Sequence, residues 1–281
     1  MENILTELLS YNFLKNALWA SLFASIICGV IGTYIVSNRL VFLSGGITHS
    51  SFGGIGIAYY LGANPLLGAA VFSVLSALGI EYFSAKGRLR QDSAIGIWWS
   101  FGMALGIIFV YLTPGYTPNL MTYLFGSILT VSRIEIWFMA LLALVVVMFF
   151  IIFFRNILYI SFDEEYAHTN GLPVNFIKYV LIGLVGLAIV INIKVVGIIL
   201  LISLLTIPQS IANLFTKTFK NIIFWSIGIA FAGILSGLIF SYQMDIPSGA
   251  SIIFTLVLFF LVGKAIQLLK HKLQYLVNVN K

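Results

Sequence analysis

The sequence is short of charge. Only 9% of its 281 residues are Asp, Glu, Lys or Arg, against ~25% in an ordinary soluble domain. With 60% hydrophobic residues and a mean hydropathy of +1.07, there is too little polar surface to coat a globule in water. A water-soluble fold is excluded, and the solvent must be lipid. Cysteine is almost absent: Cys28 stands alone inside an apolar run, which excludes an internal disulfide and a thiolate metal site. No phosphate-cradling loop is present either. The pair Gly263-Lys264 lacks the other glycine and the following Ser or Thr of a nucleotide-binding loop, so any ATP must be handled by another chain. The net charge of +6 comes from basic residues spread singly between apolar runs, which excludes a nucleic-acid partner. The first apolar run, 16–36, is long enough to span and no small-residue cleavage site follows, so no cleavable signal peptide is expected.

What is present is a series of apolar windows of the ~20 residues a helix needs to cross the hydrocarbon core. They fall at 14–36, 40–61, 65–83, 93–112, 136–154, 174–193, 195–216, 222–243 and 247–269. The fold class is therefore an all-α polytopic membrane protein of about nine spans forming a single transmembrane domain, 1–281. Eight is the fallback, because only Lys194 separates 174–193 from 195–216. Between Ser93 and Ser132 no charge occurs, but Pro114 and Pro118 break the helix, and residues 120–131 are too short to cross. They read as a re-entrant or interfacial helix. With that reading and the N-terminus outside, all but three of the 15 lysines and arginines face inward, leaving Lys15, Arg133 and Lys194 outside. The 25 glycines, clustered at 45–46, 53–56, 102–106 and 228–237, predict closely packed helices.

An ionisable side chain at membrane depth is a functional candidate by default. His49, within GGITHSSFGG, is the clearest case, with hydroxyls at Thr48, Ser50 and Ser51 beside it. It admits two readings: a metal ligand in transit, since neutral imidazole suits zinc and other borderline metals, or a hydrogen-bonded packing residue. A second polar island, 155–173, holds Asp163, Glu164 and Glu165 in a row. Ser161 with Glu164 suggests a capping box, and Gly171 followed by Pro173 a helix stop. This stretch is a short cytoplasmic helix or a solvated loop; His168 within it, like His271 in the tail, reads as a surface histidine. Arg90 and Asp92 open the fourth span as cap and anchor, and Pro208 interrupts the seventh. Asp245 lies in an outer turn.

The order and spacing of several motifs resemble the membrane permease subunit of zinc, manganese and iron ABC importers, over nearly the whole chain. They are the arginine after the first span, GGITHSSFGG, QDSAIGIWWSFGMALGI (91–107), LFGSILTVS (124–132), FDEEYAHTNG (162–171), VVGIILLISLLTIP (195–208) and DIPSGASI (245–252). The resemblance implies a prokaryotic plasma- or inner-membrane permease, not itself an enzyme. It would pair with a second copy, receive metal from an extracellular or periplasmic binding protein, and be driven by two ATPase subunits. No permanently bound cofactor is implied; the divalent metal is cargo. His49, with Thr48 and Ser50 as oxygen donors, falls on the transit pathway. The stretch containing Asp163, Glu164, Glu165, Ala167 and Gly171 falls on the helix that couples to the ATPase, with Asp245 as an outer-side candidate. Family members often carry an aspartate one turn before the histidine, where this chain has Gly45. Losing that acid tilts the expected cargo slightly toward zinc and away from oxygen-loving manganese. The alternative within this architecture is a permease for a metal chelate such as haem or a corrinoid. A self-sufficient carrier would place several acids at membrane depth, and an intramembrane enzyme needs more than one histidine.

Overall fold

The computed structural model describes residues 12–85, 89–114, 126 and 128–279, and every regular element among them is helical. The helices are α1 (Asn12–Ser37), α2 (Val41–Tyr60), α3 (Pro65–Ala85), α4 (Gln91–Leu112), α5 (Arg133–Ile152), α6 (Phe154–Phe162), α7 (Glu164–Thr169), α8 (Val174–Leu204), α9 (Ile207–Phe215), α10 (Phe219–Met244) and α11 (Ser248–Val279). Among the described residues, eight segments are long and apolar enough to cross a membrane. Helix α2 is as long as these, but its serines, threonine and histidine hold its hydropathy down.

Contacts between helix ends fix the directions of travel. At one end, Asn38 after α1 donates to the Ser161 hydroxyl at 3.1 Å, and Lys178 of α8 meets Glu81 at the end of α3. At the other, Asn16 donates to the Val131 carbonyl at 3.1 Å. Helix α4 therefore runs from the first end to the second, the end from which α5 starts. The expected helix at 120–131 lies mostly outside the described residues; within it, Ile128–Thr130 forms one 3₁₀ turn before Ser132 and Glu135 cap α5 reciprocally.

The tight turn expected at Lys194 falls instead at Gly197, whose φ of 79° and ψ of 164° break α8. Only glycine takes this conformation without strain. Gly126 packs so closely there that a side chain on it would overlap the backbone of Val196 and Gly197. Residues 198–215 then run back: Ile199 and Leu200 lie beside Gly249, and the Gln267 side chain reaches the Leu214 carbonyl. With α2 included, the described residues make nine passes.

Pro208 opens α9 rather than kinking a continuous span. Its ring leaves the Leu204 carbonyl without an N–H from position 208. The buried Gln209 amide supplies the missing donor at 3.2 Å, and also donates to the Cys28 carbonyl of α1 at 2.7 Å. Other hydroxyls inside the bundle follow the same economy: those of Ser21, Ser25 and Thr33 each donate to the carbonyl one turn back. Helices α1, α2 and α8 are the most enclosed, whereas α4 and α11 present apolar flanks, as does α5 with Trp137. Such flanks are stable only against hydrocarbon or another protein.

Candidate metal pathway and cytoplasmic helix

Helices α2, α3 and α4 form a block joined by bare backbone. Side chains on Gly54 or Gly56 would overlap the backbone of Gly68 on α3 and of Gly106 on α4 respectively. Gly102 of α4 leaves no room for a Cβ against Ser50. This close approach is what the glycine clusters predict.

On the flank of this block, His49 is half-buried near the middle of α2 and its imidazole stacks on the indole of Trp99 from α4. The centroids are 4.3 Å apart and the planes 5° from parallel. Phe42 lies against the same indole at 6.0 Å. The stack restricts the imidazole's rotation while leaving its in-plane nitrogens open to a ligand. One turn before His49, on the same face, a Cβ on Gly45 would meet nothing within 4 Å, and the same holds for Gly96 one turn before Ser100 on α4. Open space therefore lies beside both positions.

Thr48 and Ser50 do not share this open face. Both are wholly buried, and their hydroxyls donate to the carbonyls of Ser44 at 2.6 Å and Ile47 at 3.0 Å. Among the described residues, no three of His, Cys, Asp and Glu gather where they could hold a metal ion. Trp99 lies 50 residues from His49 in the sequence, and its partnership with the imidazole becomes visible only once α2 and α4 are aligned in parallel.

The polar island folds as two short helices. The cap of α7 is Asp163, not Ser161: the Asp163 carboxylate accepts the Tyr166 amide at 2.9 Å. Ser161 lies inside α6 and accepts from Asn38, while Glu164 is held by Lys178 at 3.0 Å, so neither is free to build the expected box. At the other end Gly171, at φ 72°, closes a Schellman turn, with Leu172 donating to the Ala167 carbonyl and Gly171 to that of His168. Ala167 is fully buried as the foot of the helix. Glu165, His168 and Tyr166 face out, beside Phe162 at 86% exposure. Arg90 and Asp92 form an exposed pair at 3.2 Å, and Asp245 ends α10 in the left-handed conformation, exposed, at φ 54°.

The described residues thus form a multi-pass helical block with one imidazole on an open flank and a capped acidic helix at one end. The chain belongs to the ABC 3 transport family, whose model matches residues 10–267. It is similar to the manganese transport system membrane protein MntC of Halalkalibacterium halodurans, at 36% identity over 88% of this chain and 85% of that one. An uncharacterised membrane protein of Synechocystis is 40% identical over 94% of both chains. Among solved structures, a chain of PsaBC from Streptococcus pneumoniae in complex with Fab aligns with a TM-score of 0.82 and 31% identity, covering 93% of this chain and 94% of that one. The chain is accordingly the membrane permease subunit of a metal ABC importer.

Proposed function

We propose that two copies of this chain line a pathway that carries manganese inward, powered by separate ATPase subunits and supplied by an external binding protein. The observation that carries the reading is His49: an intramembrane imidazole held by Trp99, with open space one turn away at Gly45. Glycine at position 45 in place of the acid common in the family tilts the cargo only slightly toward zinc. Several relatives are named as manganese systems, and the space at Gly45 allows a hard ion to keep water oxygens there. His49 makes the first protein contact; Thr48 and Ser50 would join only if α2 rotated.

At the end of the bundle where α1 and α3 finish, α7 is the cytoplasmic helix that docks on the ATPase. Its Glu165, Tyr166 and the neighbouring Phe162 offer an exposed charged and aromatic surface, while Asp163, Ala167 and Gly171 fix its shape. ATP-driven movement of α7 is then converted to alternating access. Asp245 at the outer turn is a contact for the binding protein.

The test is uptake of manganese, zinc and iron into vesicles holding the permease pair with its cognate ATPase and binding protein. Manganese is expected to be taken up with ATP, and His49→Ala to lower that uptake about 100-fold, since even outer-shell partners of a metal are worth 10–100-fold. Glu165→Lys should abolish binding-protein-stimulated ATP hydrolysis. Equal uptake by His49→Ala, or uptake without ATP, would overturn the reading.

A further inference from the structure

Three ionised side chains meet where α3, α7 and α8 converge. Lys178 Nζ of α8 lies 3.0 and 3.1 Å from the two carboxylate oxygens of Glu164 on α7, and 3.1 Å from Oε1 of Glu81 on α3. An ammonium has three donors and no acceptor, so one lysine can hold both carboxylates at once. The two legs differ in their surroundings. The Glu81 side chain is 8% exposed and that of Glu164 is 45% exposed. A carboxylate removed from water depends on its cation and is heavily penalised without it. An ion pair in contact with water is weak and is easily made and broken. Lys178 therefore stays with Glu81, and the bond to Glu164 is the one that gives way.

We propose that Lys178 is a positioning residue that latches α7 to the helix block carrying His49, with Glu81 as fixed anchor and Glu164 as the releasable leg. This rests on the reading of α7 as the helix an ATPase moves. From Glu81, α3 runs back to Gly68, whose backbone abuts Gly54 of α2 with no room for a Cβ, little more than one turn beyond His49. From Lys178, α8 packs along α3, with Gly186 against the Ser73 carbonyl. A displacement of α7 passes into this block without being absorbed, because packed backbone does not compress. The neutral bond from Asn38 to Ser161 holds α6 to α1 nearby but reaches neither α3 nor α8. The charges of Lys178 and Glu81 are thus accounted for by transmission rather than by contact with the metal.

The measurement is ATP hydrolysed per manganese ion transported by the reconstituted complete transporter. Lys178→Met is expected to raise that ratio at least about fivefold, the lower end of ordinary coupling between sites. Lys178→Arg should stay near the parent value, and Glu164→Gln should move in the same direction as Lys178→Met without adding to it in the double variant. If Lys178→Met fails to assemble because Glu81 is left unpaired, the variant Lys178→Met with Glu81→Gln removes the buried charge and is measured instead. An unchanged ratio in whichever variant assembles, or independent additive effects of Lys178→Met and Glu164→Gln, overturns the latch. A parent transporter that moves manganese without ATP overturns the coupled-importer reading instead, which keeps the two failures apart.

Discussion

The helices around His49 and the helices around Lys178 are held by opposite means. Near His49, α2, α3 and α4 touch through Gly54, Gly68, Gly102 and Gly106, where almost no side chain intervenes. At the end that includes α7, beside the buried Ala167, contact is also made by long charged side chains that reach across gaps of about 3 Å. The first kind of contact has one geometry and loses dispersion energy steeply when it opens. The second is adjustable, because a lysine can exchange partners with little change in backbone. A permease needs both: a block that moves as one piece past its ion, and a joint that can be made and released from one end.

Breaking the rigid side of this comparison gives the largest effect. Gly54→Leu places atoms in the Gly68 backbone; overpacking costs about 1–3 kcal/mol, or more when backbone must yield. That is a large share of a total stability of about 5–15 kcal/mol. The expected outcome is a Tm lowered by several degrees or loss of folded protein, read by thermal unfolding in detergent. Next comes Trp99→Ala, which frees the His49 ring. Stacked aromatic contacts are worth about 0.5–1.5 kcal/mol, so manganese uptake should fall about 2- to 10-fold with folding intact; equal uptake would show that the stack does not orient the imidazole. Gly45→Asp sharpens the comparison from the other direction. The site has space, so Tm should hold, while an acid one turn from His49 should tighten manganese binding and slow its release. Smallest is Arg90→Ala, which removes an exposed pair worth about 0–1 kcal/mol; neither Tm nor uptake should move beyond error.

Much of the fold is written in the apolar windows, because a chain in lipid must satisfy its backbone within each segment and so announces every span by length. The window at 40–61 was legible despite its hydroxyls and histidine, since an uncharged stretch of that length has few other uses. The break between 174–193 and 195–216 was placed at Lys194 because charge was the only visible punctuation; Gly197 carries it because only a residue without Cβ takes φ 79° there. The cap at Asp163 was misread for a related reason. Ser161 and Glu164 have the right spacing, but spacing cannot reveal that Asn38 and Lys178, 123 and 14 residues away, claim both side chains first.

By itself the sequence determined that this chain lives in lipid, that it crosses eight or nine times, and that a histidine stands within one apolar window and three acids in a row between two others. These follow from composition and period, which are local. Only the tertiary structure decided that His49 leans on Trp99, that Thr48 and Ser50 turn away from it, and that Glu81, Glu164 and Lys178 share one bond network. Those facts depend on the rotation of each helix about its axis and its offset against neighbours, which are set by the packing of whole faces and leave no mark at any single position.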